Sequence, residues 1–179
     1  MSLEETATRI RAFEVQFVPS LLQTADYARA HVRLGDPDIS DADLDRKVHE
    51  RMLRQQRLHS GDLKVWAVVD ENALRRPIGG RSVMRAQVEH LLLLTERSNL
   101  TLQIIPFNAG GHGGISGAFS ILRFPEATLP DIVYLEQLTS ALYLHEVREL
   151  DRYTQLMDRL CLEAAQPKES VKMLAGILR

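Results

Sequence analysis

Leu63-Lys64-Val65-Trp66-Ala67-Val68-Val69 is apolar at nearly every position, with Val65, Ala67 and Val69 on one side and Trp66 and Val68 on the other. Successive side chains of a strand point to opposite faces, so such a run reads as a strand covered on both sides, in the interior of a sheet. Leu100 to Phe107 is a second run of the same kind. Between them, after a break at Gly79-Gly80, Met84, Val88, Leu91, Leu92 and Thr95 recur at the spacing of one helix face, and Ser98-Asn99 stops the pattern. Strand, helix, strand over this length is a crossover unit, which predicts parallel strands joined by a right-handed connection.

Upstream, Phe13 to Val18 alternates apolar and polar residues, predicting a half-buried strand closed by Pro19-Ser20. A helix is expected over Leu21–Leu34, ending at Gly35-Asp36-Pro37. Ser40-Asp41-Ala42-Asp43 has the form of a capping box, and the helix it opens runs to about His59 with Leu44, Val48 and Met52 as its stripe. Downstream, Ala118–Phe124 and Asp131–Glu136 read as neighbouring strands. His145–Ala164 is a long helix with Val147, Leu150, Met157, Cys161 and Ala164 inward, and Pro167 opens a short last helix. The predicted fold is α+β or α/β: a mixed sheet of four to six strands, one parallel βαβ unit, helices packed on the sheet and a helical C-terminal segment.

The chain has 179 residues, 45% hydrophobic and 26% charged, which suits one folded domain over 1–179. A formal net charge of −2 gives no general attraction to a phosphate backbone. The single cysteine, Cys161, excludes an internal disulfide framework and sits on an apolar helix face, as an inert buried thiol does. There is no signal-like N-terminus and no apolar run near the ~18 residues of a membrane span, so the expected place is the cytoplasm, without membrane contact. The start runs almost directly into a strand, which leads us to expect that another domain precedes it.

Six residues stand out as candidate ligand contacts. Glu71, Arg75 and Arg76 lie at the exit of the Leu63–Val69 strand, and carboxyl ends of parallel strands are where ligands gather. Two arginines there can fork onto a carboxylate or phosphate, or Glu71 and an arginine can form a structural ion pair. His112 lies in the glycine-rich segment Gly110–Gly117, which reads either as a connector or as a ligand loop. It is no P-loop, because it joins two strands and lacks the closing Lys and Ser or Thr. Tyr134 and Glu136 end the last predicted strand and can line the same cleft, or Tyr134 can pack into the core. The remaining histidines, His31, His49, His59, His90 and His145, have no metal-ligand spacing. No nucleophile elbow or paired-carboxylate motif marks catalysis, and neither cofactor nor metal is expected.

Several strings, in order, carry a family resemblance: Val18-Pro19-Ser20-Leu21-Leu22-Gln23-Thr24 with Tyr27-Ala28-Arg29, Arg51-Met52-Leu53-Arg54-Gln55, and Asp70 to Gly80 into Val83-Met84-Arg85-Ala86-Gln87. Gln103 to Phe107, Gly117-Ala118-Phe119 and Ile132-Val133-Tyr134-Leu135-Glu136 continue it. Together they resemble DUF5753, a domain of unknown function at the C-terminus of actinobacterial transcriptional regulators that carry a Cro/repressor-type helix-turn-helix at the other end. Ser20 departs from the family's usual Gly and bears only on the turn there. The resemblance implies an effector domain, antitoxin-like in context, that binds a small molecule or a small partner protein. DNA would be read only by the upstream domain, and a homodimer is expected because such regulators read two half-sites. The family supplies no catalytic residues. The alternatives are a dimerisation or interaction module without a pocket, and an enzyme using the glycine loop and His112.

Overall fold

A computed structural model of the protein describes residues 3–126, 129–137 and 140–179. Its centre is a six-stranded mixed sheet. The strands are β1 (Arg9–Glu14), β2 (Lys64–Asp70), β3 (Leu100–Ile105), β4 (Phe119–Arg123), β5 (Ile132–Glu136) and β6 (Ala141–Leu144), ordered β3-β2-β1-β4-β5-β6. β1, β2 and β3 are mutually parallel, and β4, β5 and β6 add antiparallel strands on the far side of β1. Around the sheet lie α1 (Leu3–Thr6), α2 (Ala25–Gly35), α3 (Asp41–Ser60), α4 (Glu71–Arg75), α5 (Arg81–Leu94), α6 (Val147–Glu163) and α7 (Pro167–Ile177). The fold is α+β, as predicted.

The expected crossover is present: α4 and α5 connect β2 to its parallel neighbour β3, and Met84, Val88 and Leu91 are buried on the face that the spacing pointed inward. A second one, through α2 and α3, joins β1 to β2. It follows from a correction to the first strand, which spans Arg9–Glu14 and not Phe13–Val18. Beyond Glu14 the backbone finds side-chain partners in place of a ladder: Val18 N–H donates to the Tyr27 hydroxyl, and Gln23 Nε2 donates to Val18 O. The helix predicted from Leu21 begins at Ala25 after a single 3-10 turn, with Thr24 accepting from Tyr27 N–H as its cap. Ser40 caps α3 as its sequence indicated, accepting from Asp43 N–H at 3.1 Å.

The two faces of the sheet carry different covers. On one, Ile10, Ala12, Val65, Ala67, Val69, Leu102 and Leu122 pack against α5, α7 and parts of α2 and α3. On the other, Phe13, Val68, Ile105, Phe119, Val133 and Leu135 meet Met157 and Leu160 of α6. These second-face residues cluster where β1, β2 and β3 end, so α6 covers that half and leaves the half where those strands begin open. Val147, predicted inward, is exposed, because α6 reaches the sheet only further along. The outer edge of β3 is covered where α6 meets α7: Ile104 N–H donates to Ser170 Oγ and Ile104 O accepts from Ala165 N–H.

Candidate functional site

The carboxyl ends of the parallel strands hold four of the six predicted contacts, in a tightly bonded arrangement. Glu71 opens α4 and is buried; its Oε1 accepts from Arg75 Nε and Nη2 at 3.0 and 2.9 Å, and its Oε2 from Phe107 N–H at 2.9 Å. One carboxylate thereby ties a helical turn to the exit of β3. Arg76 is exposed, with its Nε 3.4 Å from Asn72 Oδ1. His112 Nδ1 accepts from Gly114 N–H at 3.1 Å, which places the ring proton on Nε2, where it meets Asp70 Oδ2 at 2.9 Å. Both ring nitrogens are engaged, and the ring packs edge-on against Phe13 at 5.6 Å. Gly114 is required here: a Cβ would intrude on the Phe13 ring. The glycine segment is thus fastened down at His112 and Gly114.

Tyr134 and Glu136 lie elsewhere. Along β5, Val133 and Leu135 enter the α6 core, so Tyr134 points to the opposite face, where it packs beside the other core. There it meets Tyr143 with ring centroids 5.2 Å apart. Around it is a polar cluster of Glu4, Glu14, Arg51, Arg54 and Glu136 from four separate elements. Burial, and next the Glu136 carboxylate, push the Glu14 carboxyl up to about 8, with Arg51 opposing. Burial raises Glu4 despite Arg54, which lies 3.4 Å away. Burial and then Glu136 raise the Tyr134 hydroxyl to about 12. Arg51 is fixed from behind by Gln23 Oε1 at 2.7 Å and His31 Nδ1 at 3.1 Å. His31 stacks on Phe17 at 4.1 Å and is lowered to about 4, first by burial and then by Arg51. Such a cluster holds a proton on Glu14 at neutral pH beside fixed cations. Sequence reading missed Glu14, His31 and Arg51; Arg51 lay inside a family string, but nothing local revealed that it faces Glu14.

The third feature is a groove of about 580 Å³ on the α6 side, over the half of the sheet that α6 leaves open. That falls within the ~300–1,000 Å³ usual for small-molecule sites. Trp66 is 38% exposed there, and its Nε1–H donates to buried Gln103 Oε1 at 2.8 Å. Gln103 Nε2 in turn donates to the carbonyls of Cys161 and Ala165, so one side chain orients the indole and the end of α6. Arg11 lies over the indole, 5.4 Å from its centre, and bonds to Asp158 at 2.7 Å. Its buried Nε has no partner among the described residues. Cys161, half-buried in the wall, has its thiol pushed up by burial. The predicted cleft lay at the other end of these strands. Among the described residues no acidic, histidine or cysteine cluster can hold a metal ion, and no helix is long and apolar enough to cross a membrane.

These features define a small α+β domain with an open groove on one sheet face and a half-buried charge cluster on the other. The family model for the domain of unknown function DUF5753 matches residues 1–176, so the chain belongs to that family. No curated protein and no solved structure matches it.

Proposed function

We propose that this chain is the effector domain of a transcriptional regulator: it binds a small molecule or a small partner protein and shifts an attached helix-turn-helix domain between states of different operator affinity. The observation that carries the reading is the groove, whose apolar lining and exposed indole, edged by the cations Arg9 and Lys64, form a pocket of ligand size. Overall charge supports leaving DNA to another domain, since a net −2 gives no general attraction to a phosphate backbone. A non-catalytic role is favoured because His112, the best candidate base, has both nitrogens occupied and no hydroxyl or thiol bonded to it among the described residues. The open outer edge of β6, uncharged over Ala141–Leu144, supports pairing with a second copy.

Thermal-shift screening of the chain against metabolites and candidate partner proteins tests the reading, because a ligand of the native state raises the melting point. A hit must then change the operator affinity of the complete regulator. Turnover of a substrate that His112→Ala abolishes with the fold intact, or tight operator binding by this chain alone at physiological salt, would overturn it.

A further inference from the structure

Strand order and register assemble something at the mouth of the groove that no single strand reveals. Arg9 of β1 stands beside Lys64 of β2 on one side and Arg123 of β4 on the other. All three line the groove, so three cations form a row across adjacent strands on one face. Like charges in neighbouring register positions repel. Only Arg123 is neutralised: Asp131 takes its Nε and Nη2 at 2.8 to 3.2 Å. Arg9 and Lys64 are exposed and have no carboxylate partner among the described residues. The next row inward is Thr101, Trp66, Arg11 and Ile121, again neighbours by register. Here the planar guanidinium of Arg11 lies over the indole, and its Asp158 partner leaves Nε unused. The walls therefore carry four cations against two carboxylates, both already paired.

We propose that the groove binds a small organic anion with a flat apolar body, the body against Trp66, Ile121 and Leu162 and the anionic head between Arg9 and Lys64. The inference rests on the reading of the groove as a ligand site but not on any coupling to DNA. A flat body suits the exposed face of the Trp66 indole, and Leu162, 82% exposed on the last turn of α6, provides an apolar wall. The head relieves the repulsion between two adjacent cations, which a neutral molecule cannot do and a cation would worsen.

Trp66 is the chain's only tryptophan and lines the groove, so a saturable change in its emission that Arg9→Ala and Lys64→Ala shift to higher concentration reports occupancy of this groove. The test is calorimetric titration of the intact chain with 2-naphthoate, 2-naphthylmethanol, 2-naphthylmethylamine and acetate, with Trp66 emission followed in parallel. The expected result is one saturable 2-naphthoate site that perturbs Trp66, about a hundredfold tighter than the alcohol, the amount two charge-assisted contacts supply. The amine and acetate bind more weakly than either. Arg9→Ala and Lys64→Ala, both at exposed positions, each weaken 2-naphthoate about tenfold with an unchanged melting point, and leave the alcohol unaffected. The proposal is overturned if none of the four binds, if acid and alcohol bind within twofold of each other, or if both variants bind the acid like the parent. Binding of 2-naphthoate that leaves the operator affinity of the complete regulator unchanged upholds the site and removes the regulatory reading.

Discussion

Replacing Glu14 by Gln tests the half-buried charge cluster in the quantity it controls most directly, the dependence of stability on pH. The carboxyl is raised from 4.5 to about 8 in the native state, so between those values the folded protein holds a proton that the unfolded chain has lost. Stability from this group is complete below pH 4.5 and is lost as pH rises through 8, by about 1.4 kcal/mol for each pH unit. At pH 8 the full loss is about 4 kcal/mol, and the solvent that reaches a half-buried side chain reduces it to about 2–4 kcal/mol. Gln is close to an isostere of the protonated form and cannot ionise. Urea denaturation of the parent and Glu14→Gln at pH 5 and pH 8 is the assay. The variant is expected to match the parent within about 1 kcal/mol at pH 5 and to exceed it by about 2–4 kcal/mol at pH 8. Glu136→Gln should bring the Glu14 titration down toward the ordinary range, since Glu136 is the second cause of the shift. An identical stability difference at both pH values would refute the argument.

His31 should show the opposite dependence: lowered to about 4, it keeps its stabilising contribution above pH 6.5 and loses it as pH falls toward 4. Its ring proton resonances are therefore expected to stay constant from pH 8 to 5, and a midpoint near 6.5 would show that Arg51 is not held as described. Gly114→Ala should cost about 1–3 kcal/mol by overpacking, with partial recovery in the Phe13→Leu background; full stability in the single variant would mean that the loop is not pinned on Phe13. If β6 pairs with a second copy, Tyr143→Lys makes the protein monomeric by sedimentation with its melting point little changed, whereas an unchanged association state removes that edge as the interface.

What the sequence determined by itself is local. The near-continuous apolar runs at Leu63–Val69 and Leu100–Phe107 with a 3.6-period segment between them are complete statements of a parallel crossover, because both faces of each strand must be covered. The Ser40 cap and the Glu71–Arg75 pair, four residues apart on a helix, were readable for the same reason: their partners are neighbours in the chain. Alternation around Phe13 marked a strand but not its bounds, since Val18 prefers the Tyr27 hydroxyl and Gln23 amide to a ladder, and those partners arrive from the next helix. Only the tertiary structure decided the rest. Residues 14, 51 and 136 share one charge cluster, and residues 9, 64 and 123 form one row, because the chain enters the sheet in the order β3-β2-β1-β4-β5-β6. Charge interactions act through space and leave no periodic trace in the chain, so the two places where this protein concentrates unusual electrostatics became visible only after the strands were set in register.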